Sequence, residues 1–130
     1  MTEKAIVWIR DDFRLKNNQA LSFALNNHSL ISVIYIYNNE RFDNVREAQK
    51  WWISRSLKNY KIDLKKYNID LEIIFSEELN FFSKLKSKDN ISVYWNKIYE
   101  PEQLKLDKNI IELFKKNKIN TKCFKGNVLN

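Results

Sequence analysis

Glycine occurs once in the 130 residues, at Gly126. The dinucleotide fingerprint and the Walker loop each use several glycines to bring backbone N–H groups against phosphate, so this chain can carry neither. Cysteine is as scarce. Cys123 alone can form no internal disulfide or metal cluster, and with His28 as the only histidine a zinc site or a Ser-His-Asp triad has little to be built from. No catalytic residue and no metal ligand is assigned. No run approaches the roughly 18 consecutive apolar residues of a membrane span, and Met1-Thr2-Glu3-Lys4 lacks the long apolar stretch of a secretion signal. A cytoplasmic protein without a membrane partner is expected.

The chain is 44% apolar and 30% charged, ordinary values for one globular domain. Lys and Arg number 23 against 16 Asp and Glu, a formal charge of +7 carried mostly by lysine. Two readings stay open. The excess is spread over Lys58, Lys61, Lys65, Lys66, then Lys84, Lys86, Lys88, then Lys115, Lys116, Lys118, as solvated helix faces in a compositionally biased chain would be. Clustered cations are also what a surface facing nucleic acid presents to phosphate.

Five segments read as strands: Lys4 to Ile9, the almost wholly apolar Leu30 to Tyr37, Ile69 to Phe75, Ile91 to Trp95 and Ile119 to Phe124. Between them lie four helical patterns. These are Asn18 to Asn26, Val45 to Tyr67, Glu77 to Lys86, and Pro101 to Asn117 with Leu106, Ile110, Leu113 and Phe114 on one stripe. Asn17 or Asn18 can cap the first helix, Ser76 with Glu77 and Glu78 the third, and Pro101 suits the first turn of the fourth. Regular β-α alternation implies a doubly wound five-stranded parallel sheet, a Rossmann-like or flavodoxin-like α/β/α sandwich in a single domain spanning 1–130. Ligands of such sheets settle beyond the carboxyl ends of the strands where the winding reverses. If the first and fourth strands are neighbours, the loops Arg10 to Asn17 and Asn96 to Pro101 line that crevice.

Those loops are the least generic part of the sequence. The first reads Trp8-Ile9-Arg10-Asp11-Asp12-Phe13-Arg14-Leu15-Lys16-Asn17-Asn18-Gln19-Ala20-Leu21, a strand running into alternating charge, where Arg10 and Arg14 can pair with Asp11 or Asp12. The second, Tyr94-Trp95-Asn96-Lys97-Ile98-Tyr99-Glu100-Pro101, delivers an Asn, a Tyr and a carboxylate to a helix start, whose free N–H groups receive polar atoms. Together they resemble the N-terminal domain of the DNA photolyase and cryptochrome family. One family pattern is met at Trp8, Arg10, Asp12, Arg14, Leu15, Asn18, Ala20 and Leu21, with Ile9, Phe13 and Asn17 departing from it. The other is met at Tyr94, Trp95, Asn96, Tyr99, Glu100 and Pro101, and Trp51, Trp52, Ser56 and Leu57 resemble the family's second helix.

The resemblance implies an antenna-pigment domain of a deoxyribodipyrimidine photolyase, a carbon-carbon lyase of DNA repair. It implies a folate (methenyltetrahydrofolate) or a deazaflavin as the chromophore here. FAD would sit in a helical C-terminal domain absent from this chain, and damaged DNA would be met only through the full-length protein. The fragment is then expected to be inactive alone, to purify colourless, and to expose apolar surface. By resemblance, Glu102 and Gln103 take the folate-contacting positions, and Arg10, Asp11, Tyr37 and Asn38 the deazaflavin crevice. A cryptochrome photoreceptor has the same domain, and an unrelated flavodoxin-like nucleotide-binding module is the remaining alternative. His28 is expected to be solvated, Cys123 a small buried side chain, and Trp51 and Trp52 to pack or lie at the solvent edge. Of Tyr35 and Tyr37, one packs while the other reaches the strand end.

Overall fold

Every apolar run becomes a parallel strand. The computed structural model describes residues 4–10, 13, 15–38 and 47–125. In chain order they form β1 (Lys4–Ile9), α1 (Gln19–Asn27), β2 (Leu30–Tyr37), α2 (Glu47–Lys65), β3 (Asp70–Phe75), α3 (Glu78–Ser83), a 3₁₀ turn (Ser87–Asp89), β4 (Ile91–Asn96), α4 (Pro101–Lys116) and β5 (Asn120–Phe124). The sheet order is β3-β2-β1-β4-β5, with all pairings parallel. The chain therefore winds outward from β1 to β3, crosses back, and winds the other way through β4 and β5. The reversal lies between β1 and β4.

Strand alternation divides the core into two layers. Ala5, Val7, Ile9, Val33, Tyr35 and Tyr94 face one side and pack with Ala20, Leu21 and Ala24 of α1 and Leu57, Tyr60 and Leu64 of α2. Ile6, Trp8, Ile34, Ile36, Val93 and Trp95 face the other and pack with Phe82 of α3 and Ile110 and Phe114 of α4. Because both faces are covered, β1, β2 and β4 read as continuous apolar runs instead of alternating ones. In the second layer Trp8 meets Phe82 and Trp95 edge-on, with ring centroids 5.2 and 5.6 Å apart.

The glycine shortage shows in the turns. The positive-φ residues among those described are Asn17, Asn68, Asn90 and Lys118. Asparagine, whose short side chain tolerates the left-handed region, fills three positions that glycine would ordinarily occupy.

Some local expectations hold and others need correction. Of the two expected candidates, Asn18 caps α1, its side chain accepting from Leu21 N–H. Ser76 does not cap α3, because its hydroxyl donates to the Glu77 carbonyl, and Glu77 holds the cap position without a side-chain bond. That helix ends at Ser83, short of Lys86. Lys84, Lys86 and Lys88 leave only Leu85 to bury, and the Asp89 carboxylate accepts from Lys86 N–H at 3.0 Å to begin a separate 3₁₀ turn. The start expected for the second helix, Val45, lies outside the described residues; that helix ends at Lys65, because Asn68 turns left-handed. His28 is not solvated: it is half-buried, its Nε2 lying 2.7 Å from the Tyr94 hydroxyl. Cys123 is half-buried. Trp51 and Trp52 lie on the outside of α2, 62% and 53% exposed.

Candidate functional site at the carboxyl ends of the strands

Arg10 follows β1 directly and is 8% exposed. A guanidinium so deep needs its donors satisfied. Nη1 donates to Asp107 Oδ1 and to Gln103 Oε1, both at 2.8 Å, while Nη2 donates to the Asn96 carbonyl at 2.8 Å and to Asp107 Oδ2 at 3.3 Å. The group also lies over the Trp8 ring, 4.5 Å from its centroid. Gln103 and Asp107 are four residues apart and so share one side of α4. Burial pushes the Asp107 carboxyl above its ordinary value, while Arg10 pulls the other way. Cys123, whose Sγ is 3.9 Å from Asp107 Oδ2, is pushed up to about 11 by burial and by that carboxylate. Its thiol therefore stays protonated at neutral pH, the less nucleophilic form.

Asn96 closes the junction from the β4 side. Its Oδ1 accepts from Ala20 N–H at 3.0 Å, and its Nδ2 donates to Asn18 Oδ1 at 2.7 Å, the same oxygen that caps α1. The end of β1, the end of β4, the start of α1 and the first turns of α4 are thereby tied at one point. The two sequence motifs meet across the switch point, as their placement on adjoining strands requires.

The same edge continues over β2. Tyr37, the last residue of β2, accepts at its carbonyl from Ser76 N–H at 3.1 Å, and its ring lies 5.5 Å from that of Phe75. Asn38 Nδ2 donates to Glu78 Oε1 at 2.9 Å. Below Tyr37 a cleft of about 340 Å³ opens between α2 and β3, walled by Ile53, Leu57, Ile73 and Phe75, with Lys50 and Ser54 as its polar groups. Its size and its mainly apolar lining fall within the range of small-molecule sites.

The six residues expected at a ligand site therefore separate. Arg10 and Gln103 are bonded to each other and brace the rim from within. Tyr37 and Asn38 stand together farther along the edge, and Glu102 is exposed on the first turn of α4. Asp11 lies outside the described residues, as do Asp12 and Arg14, so the loop pairings expected of Arg10 and Arg14 fall there too. Sequence reasoning missed Asp107, the carboxylate that Arg10 meets. The available signal was an acid at position 107 on the stripe of Ile110 and Phe114. Lys50, Ser54 and Phe75 were also missed, and nothing in their spacing marks them.

The family described as DNA photolyase matches residues 5–130. The chain belongs to the DNA photolyase family. It is 27% identical over 130 residues to the deoxyribodipyrimidine photo-lyase of Agrobacterium fabrum, covering 99% of this chain and 27% of that protein. It is also 27% identical over 132 residues to cryptochrome-2 of Arabidopsis thaliana, covering 99% of this chain and 22% of the relative. The crystal structure of a bacterial class III photolyase from Agrobacterium tumefaciens matches with a TM-score of 0.84 at 26% identity, over 95% of this chain and 26% of that one. The chain spans about a quarter of the length of the relatives it matches. The Arg10–Asn96 junction is where the two sequence motifs meet. No helix among the described residues is long and apolar enough to cross a membrane.

Proposed function

We propose that the chain is the light-harvesting domain of a deoxyribodipyrimidine photolyase, which acts with a helical FAD-binding domain on pyrimidine dimers in damaged DNA and is inactive by itself. The observation that carries this reading is the bonded contact of Arg10 with Asn96, which joins both family motifs at the switch point of the sheet. The antenna pigment is a folate or a deazaflavin, held along the same edge. Tyr37 stacks against it from the mouth of the cleft, with Lys50 and Ser54 as polar anchors below and Asn38 beside them; Glu102 extends the rim on the α4 side. Arg10 and Gln103 hold the rim in shape, and Asp11 belongs to the loop beside them. A bound pigment supplies light absorption and energy transfer, and the protein supplies a rigid, partly dry seat. The identity shared with a cryptochrome supports a second reading, in which the same domain serves a photoreceptor.

The chain is expected to purify colourless and to bind FAD no better than background. Titration with methenyltetrahydrofolate and, separately, with a deazaflavin should quench the fluorescence of Trp51 and Trp52 with one of the two pigments. Tyr37→Ala should weaken that binding about tenfold, the loss of one stacking contact. A stoichiometric flavin spectrum as purified, or indifference to both pigments, would overturn the reading.

A further inference from the structure

A second groove lies at the opposite end of the α2/β3 seam, between the last turns of α2 and the start of β3. It measures about 510 Å³. Ile69 and Leu71 form its floor, and Ile62, 54% exposed, forms one wall. Lys58, Lys61 and Lys65 stand along its α2 side, spaced by three and four residues and therefore on one stripe of the helix. Lys65 has an exposed ion pair with Asp70 at 3.6 Å, a geometry that contributes little in water. Lys58 and Lys61 have no carboxylate partner among the described residues, and neither has an Asp or Glu three or four positions away in the sequence. Neighbouring like charges at these spacings repel, so the stripe carries a local strain that a helix face chosen only for solubility would relieve with interspersed acids.

We infer that this groove docks an acidic amphipathic peptide segment of another protein, whose aliphatic side chains enter the groove while its carboxylates meet Lys58, Lys61 and Lys65. Charge complementarity selects the acidic class of partner, and the floor selects its aliphatic face. A phosphate backbone needs the cations but has nothing to place on Ile62, Ile69 and Leu71, and the groove lining contains neither the aromatic platforms nor the arginines on which bases stack. A second copy of this chain, with 23 basic against 16 acidic residues, is a poorer complement to the lysine stripe than an acidic segment. The lysine stems also cover the apolar wall while their ammonium groups stay in water, so the groove can remain soluble until it is filled.

Fluorescence anisotropy of the 130-residue chain with a fluorescein-labelled peptide, carrying leucines on one face flanked by glutamates, tests the inference. The peptide is expected to bind. The double variant Lys58→Glu/Lys61→Glu should weaken it at least about tenfold, and Ile62→Ser, which removes apolar wall and no charge, about threefold. All three positions are exposed, and circular dichroism of each variant confirms folding. The charge-matched variant Lys105→Glu/Lys108→Glu on α4 should bind as the wild type does. Absence of peptide binding overturns the inference. So do equal losses in the α4 variant, equal binding of an all-glutamate peptide, or tighter binding of an oligothymidylate that depends on Lys58 and Lys61.

Discussion

At the scale of single residues, the Arg10–Asp107 pair decides whether the rim exists. Both side chains are almost wholly buried, at 7% and 4% exposure. A buried pair gives back much of its attraction in lost hydration, yet breaking it leaves an uncompensated charge inside the protein. Asp107→Ala is therefore expected to destabilise the chain by about 3–5 kcal/mol in chemical denaturation, and Arg10→Met/Asp107→Leu, which removes both charges, by less. The pair also predicts a pH dependence. Burial raises the Asp107 pKa above the ordinary 3.8 despite Arg10. The folded protein thus keeps the proton to higher pH than the unfolded chain. The stability this confers is complete below 3.8 and is lost as pH rises through the folded value. The stability advantage of the wild type over Asp107→Asn should accordingly shrink as pH is raised through the window above 3.8. An advantage that grows across that window would show that attraction to Arg10 outweighs burial.

At the scale of elements, α2 and α4 stop by one device. Ile69 N–H donates to the Leu64 carbonyl and Asn68 N–H to that of Lys65; Ile119 N–H donates to Phe114 and Lys118 N–H to Lys115 in the same pattern. Each is a Schellman turn in which an isoleucine packs back against the helix it has left, Ile69 on Leu64 in one core layer and Ile119 on Phe114 in the other. The residue in the left-handed position is Asn68 in the first and Lys118, at φ 57°, in the second. Lysine has no local bond to offset that conformation, so Lys118→Gly should raise stability by about 1 kcal/mol, measured as an upward shift in the thermal midpoint; no gain would mean that glycine's freedom in the unfolded chain cancels the relief. These stops also show what was legible beforehand. All five strands could be read: burial on both faces writes β1, β2 and β4 as blocks of apolar residues, and the edge strands β3 and β5 keep a shorter β-rich signal. Helix ends were readable only to within a few residues, since they depend on which residue turns left-handed and not on hydrophobic periodicity. At the site, the motifs exposed the meeting of Arg10 with Asn96. They hid the meeting of Arg10 with Asp107, because nothing local couples residues 97 positions apart. His28 misled for a similar reason, as its partner Tyr94 comes from β4, 66 positions along the chain.

For the molecule as a whole, the surface is uneven. Single exposed apolar side chains are normal, but large aromatics gathered at one end of a domain mark a contact surface. Trp51 and Trp52 open α2 at the end where β3 closes with Phe75, which is 74% exposed. Residues immediately beside them, Lys50 and Ile53, line the cleft proposed for the pigment together with Phe75. Arg55 stacks over Trp51 at 5.3 Å, and Trp52 meets Phe13 at 6.1 Å, so both indoles are held in place although they face water. At high protein concentration this end is expected to pair with its like. The net charge of +7 opposes association until salt screens it, so the tendency should strengthen with ionic strength, the reverse of an ionic contact. Sedimentation velocity over a concentration series checks this. Trp51→Gln/Trp52→Gln should abolish the concentration dependence while changing stability by less than about 1 kcal/mol, as expected for exposed positions. Tyr67→Gln, at an equally exposed aromatic beyond the other end of α2, should leave it intact. Association that weakens with salt, or that Tyr67→Gln suppresses equally, would mean that general stickiness or charge is responsible and not the aromatic end of the sheet.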